Sequence, residues 1–132
     1  MDPTFFLNQL RSPLFDRFFI PVTNSYPFLL ATVPWRKIVL VMTTAVALKN
    51  IFKRKRPYDQ NPLIKPFENI PDSSFPSGHT ALAFCDASIR HSYLYAILMA
   101  VSRMYGGMHY FSDVAAGAFI GWQICKTSNP TG

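Results

Sequence analysis

Three short clusters carry the residues of this chain that could do chemistry. Lys49 and Arg56-Pro57 set two cations seven positions apart. That is about two helical turns, so a helix through both would send their side chains to one face. Pro76-Ser77-Gly78-His79 stands where a helix can begin. Glycine leaves backbone N–H groups open there, the serine adds a hydroxyl, and a helix N-terminus favours anions. Ser102-Arg103, His109 and Asp113 form the third cluster. The spacing from His109 to Asp113 lets a carboxylate orient an imidazole and stabilise its protonated form. Cations, a backbone cradle, two histidines and one carboxylate make an inventory for phosphoryl transfer. Arginines grip phosphate oxygens bidentately and stabilise transition-state charge. One histidine can serve as nucleophile and the other as general acid. No cluster has the spacing of a zinc or two-metal site, so the protein's own cations would take the place of metal, and no cofactor is expected.

The elements that must position these clusters read as helices. Trp35–Phe52 follows Pro34, is apolar or Thr on every side from Ile38 to Leu48, and cannot continue far beyond Arg56 because of Pro57. At 1.5 Å per residue it would reach about 27 Å, close to the ~30 Å of a bilayer core. Pro57–Pro76, with five prolines, reads as a loop of the length that lids and binding segments have. Ser77 or Thr80 opens a helix to about Ile89, a second covers Ser92–Tyr105, and Gly106-Gly107 loosens its end. The last helix opens near Ser112-Asp113 and runs to about Lys126, with a frayed tail from Thr127. Its small residues Ala115, Ala116, Gly117, Ala118 and Gly121 allow close packing. Phe5–Leu10 and Leu14–Ile20, separated by Pro13 and stopped by Pro21, suit short helices in a membrane interface, or else surface helices capping a small core. No strand pattern emerges. The expected fold is all-α: a compact bundle of about four main helices plus short N-terminal ones.

Composition bears on where such a bundle works. The chain has 132 residues, enough for one domain, with 49% hydrophobic, 15% aromatic and only 15% charged residues. That excludes disorder. Cys85 and Cys125 stand alone without a CxxC, which points to packing residues and away from a disulfide scaffold. The mean hydropathy of +0.12 leans only weakly to membrane. The longest uncharged run, Phe18–Trp35, holds Pro21, Pro27 and Pro34, and the other runs are too short to span unless flanking charges face protein. No leader with a basic start is visible at Met1-Asp2-Pro3-Thr4. The net charge of +6 invites a polyanion, with nucleic acid as the generic guess and anionic lipid or phosphate as the other. Lys53-Arg54-Lys55, between Lys49 and Arg56, reads as a solvated or juxtamembrane stretch.

The three clusters together resemble the signatures of the type 2 phosphatidic acid phosphatase (PAP2) superfamily, the lipid phosphatase and haloperoxidase group. Its Lys-x6-Arg-Pro, Pro-Ser-Gly-His and Ser-Arg-x5-His-x3-Asp patterns are met in order by Lys49…Arg56-Pro57, Pro76-Ser77-Gly78-His79 and Ser102-Arg103…His109…Asp113, with no fixed position missing. The resemblance implies that His109 attacks phosphorus and forms a phosphohistidine, that Asp113 orients His109, and that His79 protonates the leaving oxygen. It implies that Lys49, Arg56, Ser77, Gly78 and Arg103 hold the non-bridging oxygens, without metal. The same resemblance implies a metal-independent phosphatase acting on a phosphate monoester or diphosphate of a membrane lipid, of the phosphatidic acid, phosphatidylglycerol phosphate or undecaprenyl diphosphate type, with that lipid and the bilayer as partners rather than nucleic acid. The protein would then be integral to a membrane, as in the bacterial cytoplasmic membrane, with its active site on the extracytoplasmic side. Arg36, Lys37, Arg90 and Lys126 then lie at the cytoplasmic helix ends as the positive-inside rule asks, while Lys53, Arg54 and Lys55 oppose it.

The expected organisation is one PAP2-like domain over 1–132, with a lead-in at 1–34, a catalytic core at 35–126 and a tail at 127–132. Members of the family usually have six spanning helices, and this chain has room for about four. A natural minimal form, a deletion or an oligomer that completes the site would each account for that. Two rival functions stay open: a soluble acid phosphatase or vanadate-dependent haloperoxidase relative, and a non-catalytic phospholipid headgroup binder. Outside the signatures, His91 reads as a turn residue, and Asp59 and Asp72 read as loop caps or substrate contacts. Asp86 must face the bundle if its helix meets lipid.

Overall fold

A computed structural model describes residues 2–126; the expected tail lies outside the described residues. The described chain is all-helical: α1 (Pro3–Gln9), α2 (Pro13–Asn24), α3 (Pro27–Thr32), α4 (Trp35–Phe52), α5 (Pro57–Gln60), α6 (Gly78–Arg90), α7 (Leu94–Tyr105) and α8 (Phe111–Cys125). The expectation of an all-α bundle holds, and α4 has the bounds the proline pattern sets. α2 differs. It runs through Pro21 to Asn24, because Pro21 lies on the exposed face, where the Arg17 carbonyl it leaves unpaired is not buried. Among the described residues no helix is long and apolar enough to cross a membrane, α4 included.

α6 sits at the centre, packed on α4, α7 and α8. α6 and α8 run parallel in a fixed register. A Cβ on Gly117 would lie 2.5 Å from the Ser77 carbonyl oxygen, and one on Gly121 only 2.0 Å from that of Ala81. Only glycine permits so close an approach of the two backbones. One turn further on, Cys85 and Cys125 are joined in a disulfide. This corrects the reading of both cysteines as isolated packing residues. They are 40 positions apart in sequence, yet they are successive rungs of the ladder that Gly117 and Gly121 begin. The core formed by Val41, Ala81, Leu82, Cys85, Ala96, Met99 and Cys125, with Leu29 and Val33 from the α3 region, lies around this ladder.

α1 does more than lead in. Thr4 Oγ1 donates to the His109 carbonyl at 2.8 Å. Asn8 Nδ2 donates to the carbonyls of Tyr105 (2.9 Å) and Lys65 (2.8 Å), while its Oδ1 accepts from the Lys65 N–H. The first helix therefore clasps the α7–α8 turn and the long loop together. Gly107, at φ +68°, lets that turn reverse tightly.

Candidate active site

The ends of α4, α6 and α7 and the turn before α8 meet around a cavity of about 190 Å³. Lys49, Arg56, Gly78, His79, Arg103 and His109 all line it, together with Tyr26 and Asp72. Six of the eight candidate residues are thus side by side. Asp113 and Ser77 stand behind the wall. The Ser77 hydroxyl is spent on capping α6: it accepts from the Thr80 N–H at 3.2 Å and donates to Thr80 Oγ1 at 2.9 Å. What α6 turns to the cavity is its first residues, Gly78 and His79, where backbone N–H groups have no partner within the helix.

Lys49 and Arg56 converge by a different route from the one their spacing suggests. No helix joins them: α4 stops at Phe52, Lys53 takes a left-handed conformation (φ 45°), and Arg56 precedes α5. Asp72 of the long loop ties the two together. Its Oδ1 accepts from Arg56 Nη2 at 2.5 Å, and its Oδ2 lies 3.7 Å from Lys49 Nζ. Asp72 is neither a loop cap nor simply exposed. These cations hold its carboxyl below the ordinary carboxylate range, although burial pushes the other way.

His109 is fully buried. Its Nδ1 lies 2.7 Å from the Ser74 carbonyl oxygen and 3.8 Å from Asp113 Oδ2. A carbonyl can only accept, so Nδ1 carries the proton and the Nε2 lone pair is left toward the cavity, 3.4 Å from Arg56 Nη1. The His109 Nδ1 proton goes to the Ser74 carbonyl, and Asp113 acts on the imidazole through charge at short range. Asp113 in turn accepts from Arg54 Nη1 at 2.9 Å, the Tyr110 N–H at 2.8 Å and the Ser74 hydroxyl. Arg54 also stacks 4.2 Å over the Tyr110 ring and donates to Ser112 Oγ. The solvated reading of Arg54 is therefore corrected: it is half-buried against the one carboxylate behind His109.

Burial pushes the His109 imidazole down to about 3; Arg103 and Arg56 add to the shift and Asp113 opposes it. His79, beneath the Tyr26 ring at 4.2 Å, is pushed down to about 2 by burial and then by Arg103, His109, Arg56 and Lys49. Both shifts favour the neutral imidazole. Arg103 is buried, donates from Nη1 to Thr23 Oγ1 at 2.8 Å, and leaves its Nε without a partner. A buried guanidinium N–H is costly to leave unpaired. Among the described residues no three His, Cys, Asp or Glu side chains cluster as metal ligands would.

Tyr26, Thr23, Ser74 and Arg54 carry no site signal in the sequence, and Asp72 reads there only as a loop cap or substrate contact. Their signal is positional only in three dimensions, since each serves a signature residue distant along the chain. His91 is a turn residue as expected, closing α6 at φ 59°. Asp86 is mostly buried and pairs with Arg90 at 2.8 Å.

Comparison with known proteins agrees with this geometry. The family model described as PAP2 superfamily matches residues 89–129. No curated protein matches the chain. The crystal structure of LpxE from Aquifex aeolicus superposes with a TM-score of 0.78 at 28% identity, covering 92% of this chain and 88% of that one. The first transmembrane PAP2 type phosphatidylglycerolphosphate phosphatase from Bacillus subtilis superposes with a TM-score of 0.69 at 21% identity, covering 92% of this chain and 78% of that one, a likeness of fold.

Proposed function

We propose that the chain is a member of the PAP2 superfamily and a hydrolase of phosphoester bonds, and that it removes phosphate from a phosphorylated membrane lipid through a phosphohistidine. The observation that carries the reading is the unpartnered Nε of buried Arg103 in a cavity that Lys49, Arg56 and the N-terminus of α6 also face. That arrangement leaves donors waiting for an anion with several oxygens. His109 Nε2 attacks phosphorus while Lys49, Arg56, Arg103 and the Gly78 backbone hold the non-bridging oxygens. The bond to the leaving oxygen breaks, and His79 gives that oxygen its proton. Water then attacks the phosphohistidine, His79 takes a proton from it, and phosphate leaves with His109 restored.

The lipid part of the reading rests on the outer surface. Leu14, Phe28, Trp35 and Leu94 are each about 70% exposed, and Phe18, Leu40, Val46, Ile97 and Phe119 at least half. Such breadth of apolar side chain suits lipid better than water. At the end of the bundle away from the cavity, Arg36 lies 5.5 Å from the centre of the Trp35 ring and Lys126 lies 4.3 Å from that of Trp122. Pairs of this kind suit a headgroup layer.

The test is phosphate release from lipid monophosphates and diphosphates in detergent with EDTA present. The wild-type protein should turn over and His109→Ala should not. Release undiminished in His109→Ala would refute the mechanism. Tight binding of the lipid with no release would leave a headgroup binder in its place.

A further inference from the structure

The two histidines of the cavity are held in different ways. Among the described residues the imidazole hydrogen bonds to protein belong to His109, through Ser74 and Arg56. His79 has an aromatic ring against it instead, that of Tyr26, with the ring centres 4.2 Å apart and the planes 55° apart. Tyr26 comes from the turn between α2 and α3, directly before the Pro27 that opens α3. That turn is fixed to α7 at two points. Thr23 Oγ1 accepts from Arg103 Nη1 at 2.8 Å. The Ser25 hydroxyl donates to the Val22 carbonyl at 2.6 Å and so accepts from the Tyr95 hydroxyl, also at 2.6 Å. Just beyond the turn, Leu29 is buried in the core. Tyr26 therefore rides on an anchored backbone, and its ring joins the cavity wall beside Met42, Ile70 and Leu82. None of the hydrogen bonds that fix the turn uses its hydroxyl.

The groups around His79 leave an imidazolium short of support. Arg103 faces it from α7, Lys49 from α4, Arg56 from the start of α5 and His109 from the turn before α8, and all four oppose its charge. Asp72 of the long loop is the carboxylate on this cavity, and it is engaged by Arg56 and Lys49. Asp113 stands behind His109. The turn before α3 brings no charge, only the ring. An aromatic face attracts a cation within ~6 Å of its centre while carrying no net charge itself. A carboxylate in the same place would also stabilise the imidazolium, but it would repel phosphate and pair with the cations that hold it. Resting on the phosphatase reading, we propose that Tyr26 is a positioning residue for the proton transfer: its ring fixes the plane of the His79 imidazole and lends its face to the imidazolium that forms beside bound phosphate. The imidazolium N–H bond then breaks, the proton bonds to the leaving oxygen, and a neutral imidazole is left against the same ring. The ring acts in this and the hydroxyl does not.

The experiment compares Tyr26→Leu and Tyr26→Phe with the wild type in detergent, on phosphatidic acid and on p-nitrophenyl phosphate. An alkoxide leaves poorly without a proton, whereas p-nitrophenolate leaves unaided, so only the first substrate calls on the acid. Tyr26→Leu should lower kcat/KM for phosphatidic acid roughly fivefold, the worth of one cation–π contact, and that for p-nitrophenyl phosphate by less than about twofold. Tyr26→Phe should restore the phosphatidic acid rate. Equal losses on both substrates would mean a structural role and overturn the proposal. No loss in Tyr26→Leu overturns it, and so does a loss as large in Tyr26→Phe. If the wild type releases phosphate from no lipid and not from p-nitrophenyl phosphate, the phosphatase reading itself fails. NMR titration of the His79 ring with sulfate bound then judges the contact alone, with His79→Gln identifying the signal. Tyr26→Leu should lower its pKa by roughly 0.7, the same fivefold, and Tyr26→Phe should leave it in place. An unmoved pKa in Tyr26→Leu overturns the proposal.

Discussion

His79 makes the sharpest demand on the site at the scale of single residues. The proposed general acid must hold a proton, yet burial first, and then Arg103, His109, Arg56 and Lys49, favour its neutral form. In the proposed reaction the substrate would resolve the conflict. A doubly charged phosphate group among Arg103, Arg56 and Lys49 offsets their charge, so the imidazolium form becomes favourable only when there is something to protonate. Sulfate is a dianion that does not itself titrate near neutrality. Its binding at pH 6 should therefore draw in up to one proton, read by calorimetry in two buffers of different ionisation heat. His79→Gln should abolish the uptake, and a wild type that takes up none would remove His79 from the acid role. Arg54 acts one step further back, through Asp113. His109 faces Arg56, Arg103, Asp113, His79, Lys49 and Asp72. Removing the charge on Arg54 lets the negative charge of Asp113 act on His109 undiluted and raises its pKa. The acid limb of the rate profile should move to higher pH in Arg54→Gln and return in Arg54→Lys; a lower rate with an unmoved limb would mean a structural role alone.

At the scale of elements, the register of α6 against α8 decides whether the site exists. α6 presents Gly78 and His79, and α8 begins with the Asp113 that backs His109. The Ser77 N–H donates to the Asp113 carbonyl at 3.1 Å, so the two helix starts are locked side by side. Gly121→Ala would set a methyl 2.0 Å from a backbone oxygen that cannot rotate away. The helices must part, at a cost of about 1–3 kcal/mol. Gly78→Ala is the contrast, because its Cβ meets only the flexible end of Met42 at 3.5 Å, and its stability should be nearly unchanged. The disulfide closes a loop 40 residues long, for which chain entropy gives about 4 kcal/mol. Cys85→Ala/Cys125→Ala should show a loss of that order in urea unfolding. Reductant should then weaken the wild type but leave the double variant unaffected.

The molecule as a whole is basic at one cavity and apolar over much of its outside. Under the proposed function the first feature would draw phosphate and the second would rest in lipid. The protein should float with phospholipid vesicles in a density gradient and stay with them at high salt, since apolar contact is not screened as charge is. Recovery in the lipid-free fraction, or release by salt alone, would count against a lipid-seated enzyme. The superposition on LpxE over 88% of that chain also bears on length. The trimmed appearance of the frame against a six-helix expectation does not prevent α4, α6, α7 and α8 from meeting as they do.

What the sequence by itself determined were the features that depend on near neighbours along the chain. Prolines bounded α4, apolar patterning made the fold all-α, and local spacing put His109 and Asp113 on one turn and His79 at a helix start. Eight signature residues could be named from spacing alone, and six of them line one cavity. Only the tertiary structure decided what holds them. Ser74 rather than Asp113 takes the His109 proton donor, Thr23 steadies Arg103, Asp72 joins Lys49 to Arg56, and Arg54 turns inward. Those pairs are separated by 16 to 80 positions, and hydrogen-bonding capacity carries no record of a distant partner. The disulfide was hidden for the same reason. Isolated cysteines look inert until the glycine ladder brings two parallel helices close enough for sulfur to meet sulfur.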